Sequence, residues 1–169
     1  MKRVLNAAAR IQGGNGYPNL NGMATFVQTC KGVLVTVKVQ NLPKNSICGG
    51  GVFAVHIHDG ENCTGDMDDQ FRNAKTHYNP FDCQHPYHAG DLPPLIGNDG
   101  FAYMSVLTNR FTIDEIINKV IIVHENKDDF TTQPSGNAGT KIGCGKIVKV
   151  RVSTRSPLSW RKCRSPKIF

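Results

Sequence analysis

Strict alternation of apolar and polar side chains is the feature that most restricts the fold of this chain. In residues 33–40, valine occupies every second position. Successive side chains of a β-strand point to opposite faces, so a period of two indicates strands with one buried face. The pattern recurs in residues 53–58, 121–124 and 148–152, and less regularly in residues 3–11, 22–29 and 101–107. Only residues 111–119 have helical spacing, for one or two turns, so the sequence predicts an all-β sandwich or barrel of about eight strands.

Two long polar segments interrupt this pattern. Residues 59–98 are rich in His, Asp, Asn and Pro, and residues 125–143 are rich in Gly, Thr and Asp. Segments of this length without secondary structure are uncommon in a compact domain and are usually functional. We expect both to be loops that metal ions and a disulfide hold in place.

The six histidines are concentrated in four places. His56 and His58 are two apart on a predicted strand, so their rings project from the same face. His85, His88 and Asp91 follow one another at three-residue spacing, and one more nitrogen would complete the tetrahedral site that zinc prefers. The other two are His77, in the first polar segment, and His124, which ends an apolar strand. Each place alone also fits an ordinary surface or structural histidine, but together they predict a metal site.

The cysteines do not form a zinc-binding motif of their own. The six are Cys30, Cys48, Cys63, Cys83, Cys144 and Cys163, and no two of them make a C-x-x-C pair. Most thiols stay reduced in the cytosol, although a single special pair could be oxidised there.

Composition separates a near-neutral domain from a basic tail. The net charge is +7, and residues 153–169 carry five basic and no acidic side chains. We therefore predict one domain over residues 1–152 and a basic C-terminal tail over residues 153–169. The tail is predicted to be a disordered, solvated extension. Binding of a polyanion is the alternative, but Trp160 alone gives no base-stacking pattern, so nucleic acid is not favoured as a partner.

The chain has no apolar run of the ~20 residues that a membrane span needs. The short apolar stretch near the N-terminus is interrupted by Asn6 and Arg10, which makes it too short for the core of a signal peptide. We therefore expect a cytoplasmic protein without a membrane partner.

Five motifs occur in an order that carries a family resemblance. They are His56-x-His58, His77-Tyr78-Asn79-Pro80, His88-Ala89-Gly90-Asp91-Leu92-Pro93, His124-Glu125-x-x-Asp128-Asp129 and Gly136-Asn137-Ala138-Gly139-x-x-x-x-Cys144-Gly145. Over residues 3–150 this pattern resembles the copper/zinc superoxide dismutase family. The resemblance implies an eight-stranded Greek-key β-barrel, an immunoglobulin-like sandwich whose two long loops form the metal site. It also implies a homodimer and a copper-delivery partner.

The resemblance assigns the ligands of both metals residue by residue. It implies copper ligands His56, His58, His77 and His124, and zinc ligands His77, His85, His88 and Asp91, so that His77 is shared. Asp128 matches the carboxylate that joins a copper histidine to a zinc histidine. Cys63 and Cys144 match the disulfide that fixes the metal loop to the barrel, and the other four cysteines are then reduced thiols.

The activity that the resemblance implies is dismutation of superoxide to oxygen and hydrogen peroxide by copper redox cycling. His77 is expected to take up and return a proton during the cycle, and zinc is structural. Two departures from the family pattern stand out. Lys141 occupies the position of an arginine that attracts the anionic substrate, and the spacing of His85 and His88 is unusually short. Lysine keeps the charge but lacks the planar fork, so we predict an active enzyme with a weaker anion site. A solvated loop lysine without a role is the alternative for Lys141.

Two other functions compete with dismutation. A non-catalytic copper/zinc-binding or decoy homologue would usually have lost ligands, whereas this chain keeps all seven. An adhesion sandwich with incidental histidines would bind no metal in stoichiometric amount. The retained ligands favour the enzyme.

Overall fold

The computed structural model describes residues 6–44 and 51–150, which form ten strand segments and two single-turn helices. The strands are β1 (Asn6–Gly13), β2 (Asn21–Thr29), β3 (Gly32–Gln40), β4 (Val52–Phe53), β5 (Val55–His58), β6 (Leu95–Asn98), β7 (Phe101–Thr108), β8 (Val120–His124), β9 (Lys141–Lys146) and β10 (Val148–Val150). The helices are a 3₁₀ turn at Arg72–Ala74 and α1 at Ile113–Ile116. Neither helix in these ranges has the length and apolar character to cross a bilayer.

The strands form one antiparallel sheet that nearly closes on itself. The order is β4-β6-β7-β3-β2-β1-β9-β8-β5. β9 pairs with the C-terminal end of β1, and β10 pairs with its N-terminal end. Because only Ala54 separates β4 from β5, one stretch of chain forms both edges of the sheet and closes the barrel. Neither β3 and β4 nor β7 and β8 are neighbours in the sheet although they follow one another in the chain, which is the Greek-key arrangement. If β4 with β5 and β9 with β10 are each counted once, the predicted eight-stranded, all-β barrel is confirmed.

The alternation in the sequence separates the inside of the barrel from its outside. Every second residue of β3 is fully buried: Val33, Val35, Val37 and Val39. β8 is buried on both faces. Its residues Ile121 and Val123 join the barrel core, whereas Val120 and Ile122 form a second cluster with Phe71, Ala74 and Cys144 outside the barrel. This second cluster supports the long loop that follows β5.

The predicted disulfide between Cys63 and Cys144 is confirmed, with the two Cα atoms 5.7 Å apart. It joins the loop after β5 to strand β9 and lies against the second apolar cluster. Within the described ranges, Cys30 and Cys83 are free and exposed. Cys48, Cys163 and the predicted tail at residues 153–169 lie outside the described residues.

One strand lies inside a segment that is expected to be a loop, and another begins in the second such segment. β6 falls within residues 59–98, and β9 begins at Lys141, within residues 125–143. β6 has only one buried apolar residue, Leu95, so its pattern is too short to recognise. β9 contains Gly143 and Gly145, and glycine has a low strand propensity. A Cβ at Gly145 would lie 2.7 Å from the carbonyl oxygen of Arg10 on β1, so close strand packing explains glycine there.

Candidate metal centre

Two segments of the long loop, at residues 77–78 and 90–91, run along the free edge of β5. Ile57 donates its N–H to Gly90 O at 2.9 Å, and Tyr78 donates its N–H to Ile57 O at 2.8 Å. Two further bridges pair His58 with His77 and His56 with Asp91. Since Ile57 faces the barrel core, its neighbours on β5 face the loop. The edge of one strand therefore brings residues from three distant parts of the sequence together.

Seven side chains form two groups of metal-binding type, and all seven are buried. The first group is His56, His58, His77 and His124, and the second is His77, His85, His88 and Asp91. Within each group the candidate ligand atoms all lie within 4.8 Å of one another. His77 belongs to both groups. The structure thus brings together all seven residues that the sequence suggested as ligands.

Backbone carbonyls fix the tautomers of two rings in the first group. His58 Nδ1 lies 2.8 Å from Lys75 O, and His124 Nδ1 lies 3.2 Å from Gly139 O. Because a carbonyl oxygen only accepts, each Nδ1 carries the proton and each Nε2 carries a lone pair. The two Nε2 atoms lie 3.2 Å apart. Two lone pairs at this distance repel each other unless a cation lies between them.

Asp128 links the two groups. Its two carboxylate oxygens each lie 2.8 Å from a ring nitrogen, Oδ2 from His56 Nε2 and Oδ1 from His85 Nε2. Burial raises the pKa of Asp128, but hydrogen bonds from His56, from the Phe130 N–H and from His85 outweigh it and lower the pKa to about 2. The ionised carboxylate accepts a hydrogen bond from the Nε2–H group of each ring. Both histidines therefore present Nδ1 as the lone-pair atom.

His77 presents one ring nitrogen to the second group. Its Nδ1 lies 2.8 Å from Asp91 Oδ1 and 3.4 Å from His88 Nδ1. Its Nε2 is buried and has no hydrogen-bond partner among the described residues. The ring of His77 lies close to that of His56 in the first group, with centroids 3.9 Å apart.

The orphaned ring nitrogens show that the residues fit metal ions. His56 Nδ1, His77 Nε2 and His85 Nδ1 are buried without a hydrogen-bond partner in the part of the chain that the structure describes. His85 Nδ1 does lie 3.1 Å from Asp91 Oδ2, but not in hydrogen-bonding geometry. An unpaired buried polar atom costs about 1–3 kcal/mol, and coordination would use each lone pair. Imidazole suits both copper and zinc, and a carboxylate in one group suits zinc, so the two groups fit these two cofactors.

Burial keeps the rings in the neutral form that binds metal. It lowers the pKa of His56 to about 4 and that of His124 to about 3, and for His124 the neighbouring His56 adds to the effect. Burial also lowers the pKa values of His58 and His88. At neutral pH these four imidazoles are uncharged and can donate a lone pair.

Lys141 lies beside the first group, but its positive charge is paired with a carboxylate. Lys141 opens β9 and is the register partner of His124. Its Nζ lies 2.5 Å from Asp69 Oδ2 and 3.4 Å from Phe71 O, and its side chain is 18% exposed. The expected anion-attracting lysine is therefore paired with a carboxylate of the same chain.

Sequence reasoning missed two side chains that hold the second group. The amide of Gln133 pairs with the backbone of His85, accepting its N–H at 3.0 Å and donating to its carbonyl at 2.7 Å. Arg110 Nη1 lies 3.1 Å from Pro86 O, 3.3 Å from His88 O and 3.4 Å from Asp91 O. Both side chains act on backbone groups, which have no signature in the sequence.

This geometry defines a class of protein: a Greek-key β-barrel with two adjoining metal-binding groups that have a histidine in common. Comparison with known proteins agrees. A family model described as "Copper/zinc superoxide dismutase (SODC)" matches residues 20–147. The chain belongs to the copper/zinc superoxide dismutase family.

Curated relatives support the assignment, and a solved structure has the same fold. The chain is 33% identical to Superoxide dismutase [Cu-Zn] 1 of Aquifex aeolicus over 141 residues, covering 75% of this chain and 79% of that protein. It is 34% identical to Superoxide dismutase [Cu-Zn] of Legionella pneumophila over 134 residues, with 75% and 76% covered. The fold matches the Cu/Zn superoxide dismutase from Brucella abortus with a TM-score of 0.71 at 23% identity, over 83% of this chain and 98% of that one.

Proposed function

We propose that the protein is a superoxide dismutase, converting two superoxide ions and two protons to oxygen and hydrogen peroxide. The observation that carries the proposal is the membership of His77 in both ligand groups. Two sites that have one imidazole in common can hold a redox-active and a redox-inert ion in contact through that ring. The names of the curated relatives support the same reaction.

The donor chemistry supports a division of the two metals. The first group offers only imidazole nitrogens and is assigned to copper. The second adds the carboxylate of Asp91 and is assigned to zinc, which accepts nitrogen and oxygen in a tetrahedral set. The lone-pair assignments support this division, with His56 using Nδ1 toward copper and His58 and His124 using Nε2. In this proposal His77 would offer Nδ1 to zinc and Nε2 to copper.

Copper, when bound, supplies the one-electron exchange with superoxide. The residues of the chain supply proton handling and electrostatics. His77 Nε2, which is buried and unpaired among the described residues, would hold a proton whenever it is not bound to copper and would release that proton to the reduced substrate. Asp128 fixes the rings of His56 and His85, and a carboxylate behind a ligand histidine holds its tautomer and orientation. Lys141 supplies the positive charge beside His124.

Metal content and superoxide consumption, measured on the same sample, test the proposal. The expected result is one copper and one zinc per chain with catalytic consumption of superoxide. Zinc alone should leave the protein inactive. If both metals are bound in these amounts and superoxide decays no faster than in buffer, the proposed activity is wrong.

The pairing of Lys141 with Asp69 favours a second candidate, a copper- and zinc-binding protein without catalysis. A site whose nearby cation is neutralised attracts an anion less strongly, and such a protein would bind both metals and leave superoxide unconsumed. The same paired measurement separates the two functions. The cytoplasmic location, the homodimer and the copper-delivery partner stay predictions.

A further inference from the structure

The carboxylate of Asp69 is paired with Lys141, the residue that the proposed function assigns to attraction of the substrate anion. Asp69 lies in the loop between Cys63 and His77, and its Oδ2 is 2.5 Å from Lys141 Nζ. The side chains of Lys141 and Asp69 are 18% and 35% exposed, so the pair is partly shielded from water. Shielding makes the attraction stronger than that of a fully exposed pair.

The loop holds this carboxylate in position. Asp69 Oδ1 accepts the N–H of Phe71 at 3.0 Å. The carbonyl oxygen of Asp69 accepts the N–H groups of Arg72 at 3.0 Å and of Asp66 at 3.1 Å. Phe71 is buried in the second apolar cluster, against Cys144 of the disulfide. Asp69 therefore faces Lys141 from an anchored turn.

The other two acids of this turn face elsewhere. Asp66 Oδ2 pairs with Arg72 Nε at 2.9 Å, and Asp68 lies 3.8 Å from the same guanidinium with a side chain that is 91% exposed. Asp69 is the carboxylate of this turn that contacts Lys141. Asp68 is consequently a matched control, one residue away and of the same charge.

We propose that Asp69 is an internal competitor that weakens the attraction of Lys141 for superoxide and other small anions. A carboxylate oxygen and an anionic oxygen of the substrate bind the same ammonium group, so an incoming anion must compete with Asp69. The inference rests on the proposed function of Lys141 in attracting the anion. It makes Asp69 a residue that tunes anion affinity without touching the metal ligands.

The test compares Asp69→Asn with Asp68→Asn in the copper- and zinc-loaded protein. Asparagine removes the charge but keeps the Oδ1 acceptor for the Phe71 N–H, so the turn is preserved. Asp69→Ser serves as a second variant, since a serine hydroxyl can also accept from a backbone N–H two residues on. Azide, a small anion, is titrated while the copper absorption band is followed, and superoxide consumption is measured separately.

We expect Asp69→Asn to raise azide affinity and the superoxide rate constant about two- to fivefold over Asp68→Asn, the range of a partly exposed ion pair. In a Lys141→Gln background the gain should disappear, because there is then no ammonium group for which Asp69 and the anion compete. Equal azide affinities for the Asp69 and Asp68 variants, or a gain that persists without Lys141, would overturn the inference. Loss of dismutation with the azide pattern intact would reject the proposed function and leave the inference standing.

Discussion

The backbone of Gly136 lies directly against the carboxylate of Asp128. Gly136 has φ +66°, and a Cβ on it would overlap Asp128 Oδ1 and lie 2.6 Å from His85 Nε2. The position therefore has two requirements that only glycine meets: a left-handed backbone and the space that a side chain would take. This contact fixes the carboxylate that orients a ring in each ligand group.

Gly136→Ala should damage both stability and metal binding. Forcing alanine into this conformation costs about 1–3 kcal/mol, and the methyl group would displace Asp128. We expect a lower free energy of unfolding of the metal-free protein in urea and a weaker zinc affinity in competition with a chelator. Gly16→Ala is the control, because nothing lies within 4 Å of a Cβ there. Equal stability and zinc affinity for the two variants would contradict this account.

Asp128→Asn should weaken both metals. An asparagine has one acceptor oxygen and a donating NH₂ group, so it cannot replace both carboxylate oxygens as acceptors of the hydrogen bonds from His56 and His85. Loss of such a supporting carboxylate typically costs about 10- to 100-fold in metal affinity. Copper and zinc dissociation constants measured by chelator competition test this. Asp114→Asn, which removes an exposed carboxylate that is paired with Lys149 and contacts none of these ligands, should leave both constants unchanged. A variant at position 128 that binds both metals normally would refute the role of Asp128.

The metal-free protein should lose stability as the solution becomes more acidic. Burial lowers the pKa of His56 to about 4 and that of His124 to about 3, from 6.5. Because these pKa values are lower in the folded chain, the unfolded chain binds more protons below pH 6.5. The free energy of unfolding therefore decreases as the pH is lowered. Urea unfolding should show full stability at pH 7.5 and a steady decline from about pH 6.5 toward pH 4. His124→Gln should make the decline less steep. If the unsubstituted metal-free protein is as stable at pH 5 as at pH 7.5, the buried histidines do not control its stability.

Lys141→Arg should strengthen the anion site. A guanidinium has five N–H donors, so it can keep Asp69 and still offer a donor to an incoming anion. We expect higher azide affinity and a faster superoxide rate constant, with stronger dependence on ionic strength. Lys149→Arg, an exposed substitution on β10, is the control. If neither affinity nor rate rises above that control, Lys141 does not limit anion capture.

The sequence predicted those strands whose own residues alternate clearly between apolar and polar. The valines of β3 alternate over eight residues, and every one is buried inside the barrel. β6 and β9 could not be found in this way, since the pairing of β6 with β4 and of β9 with β1 and β8 depends on residues far along the chain. The helix was placed correctly, as a single turn at Ile113–Ile116 within the expected range.

The sequence by itself determined which side chains can act as ligands, because imidazole, carboxylate and thiol chemistry and the order of the motifs belong to the residues themselves. Only the tertiary structure decided which nitrogen of each ring is free, since that depends on Lys75 O, Gly139 O and Asp128, which approach through folding. It also decided that Lys141 faces Asp69, 72 residues away. Side-chain type is local, but the partner that sets protonation, lone-pair direction and effective charge is reached across the fold.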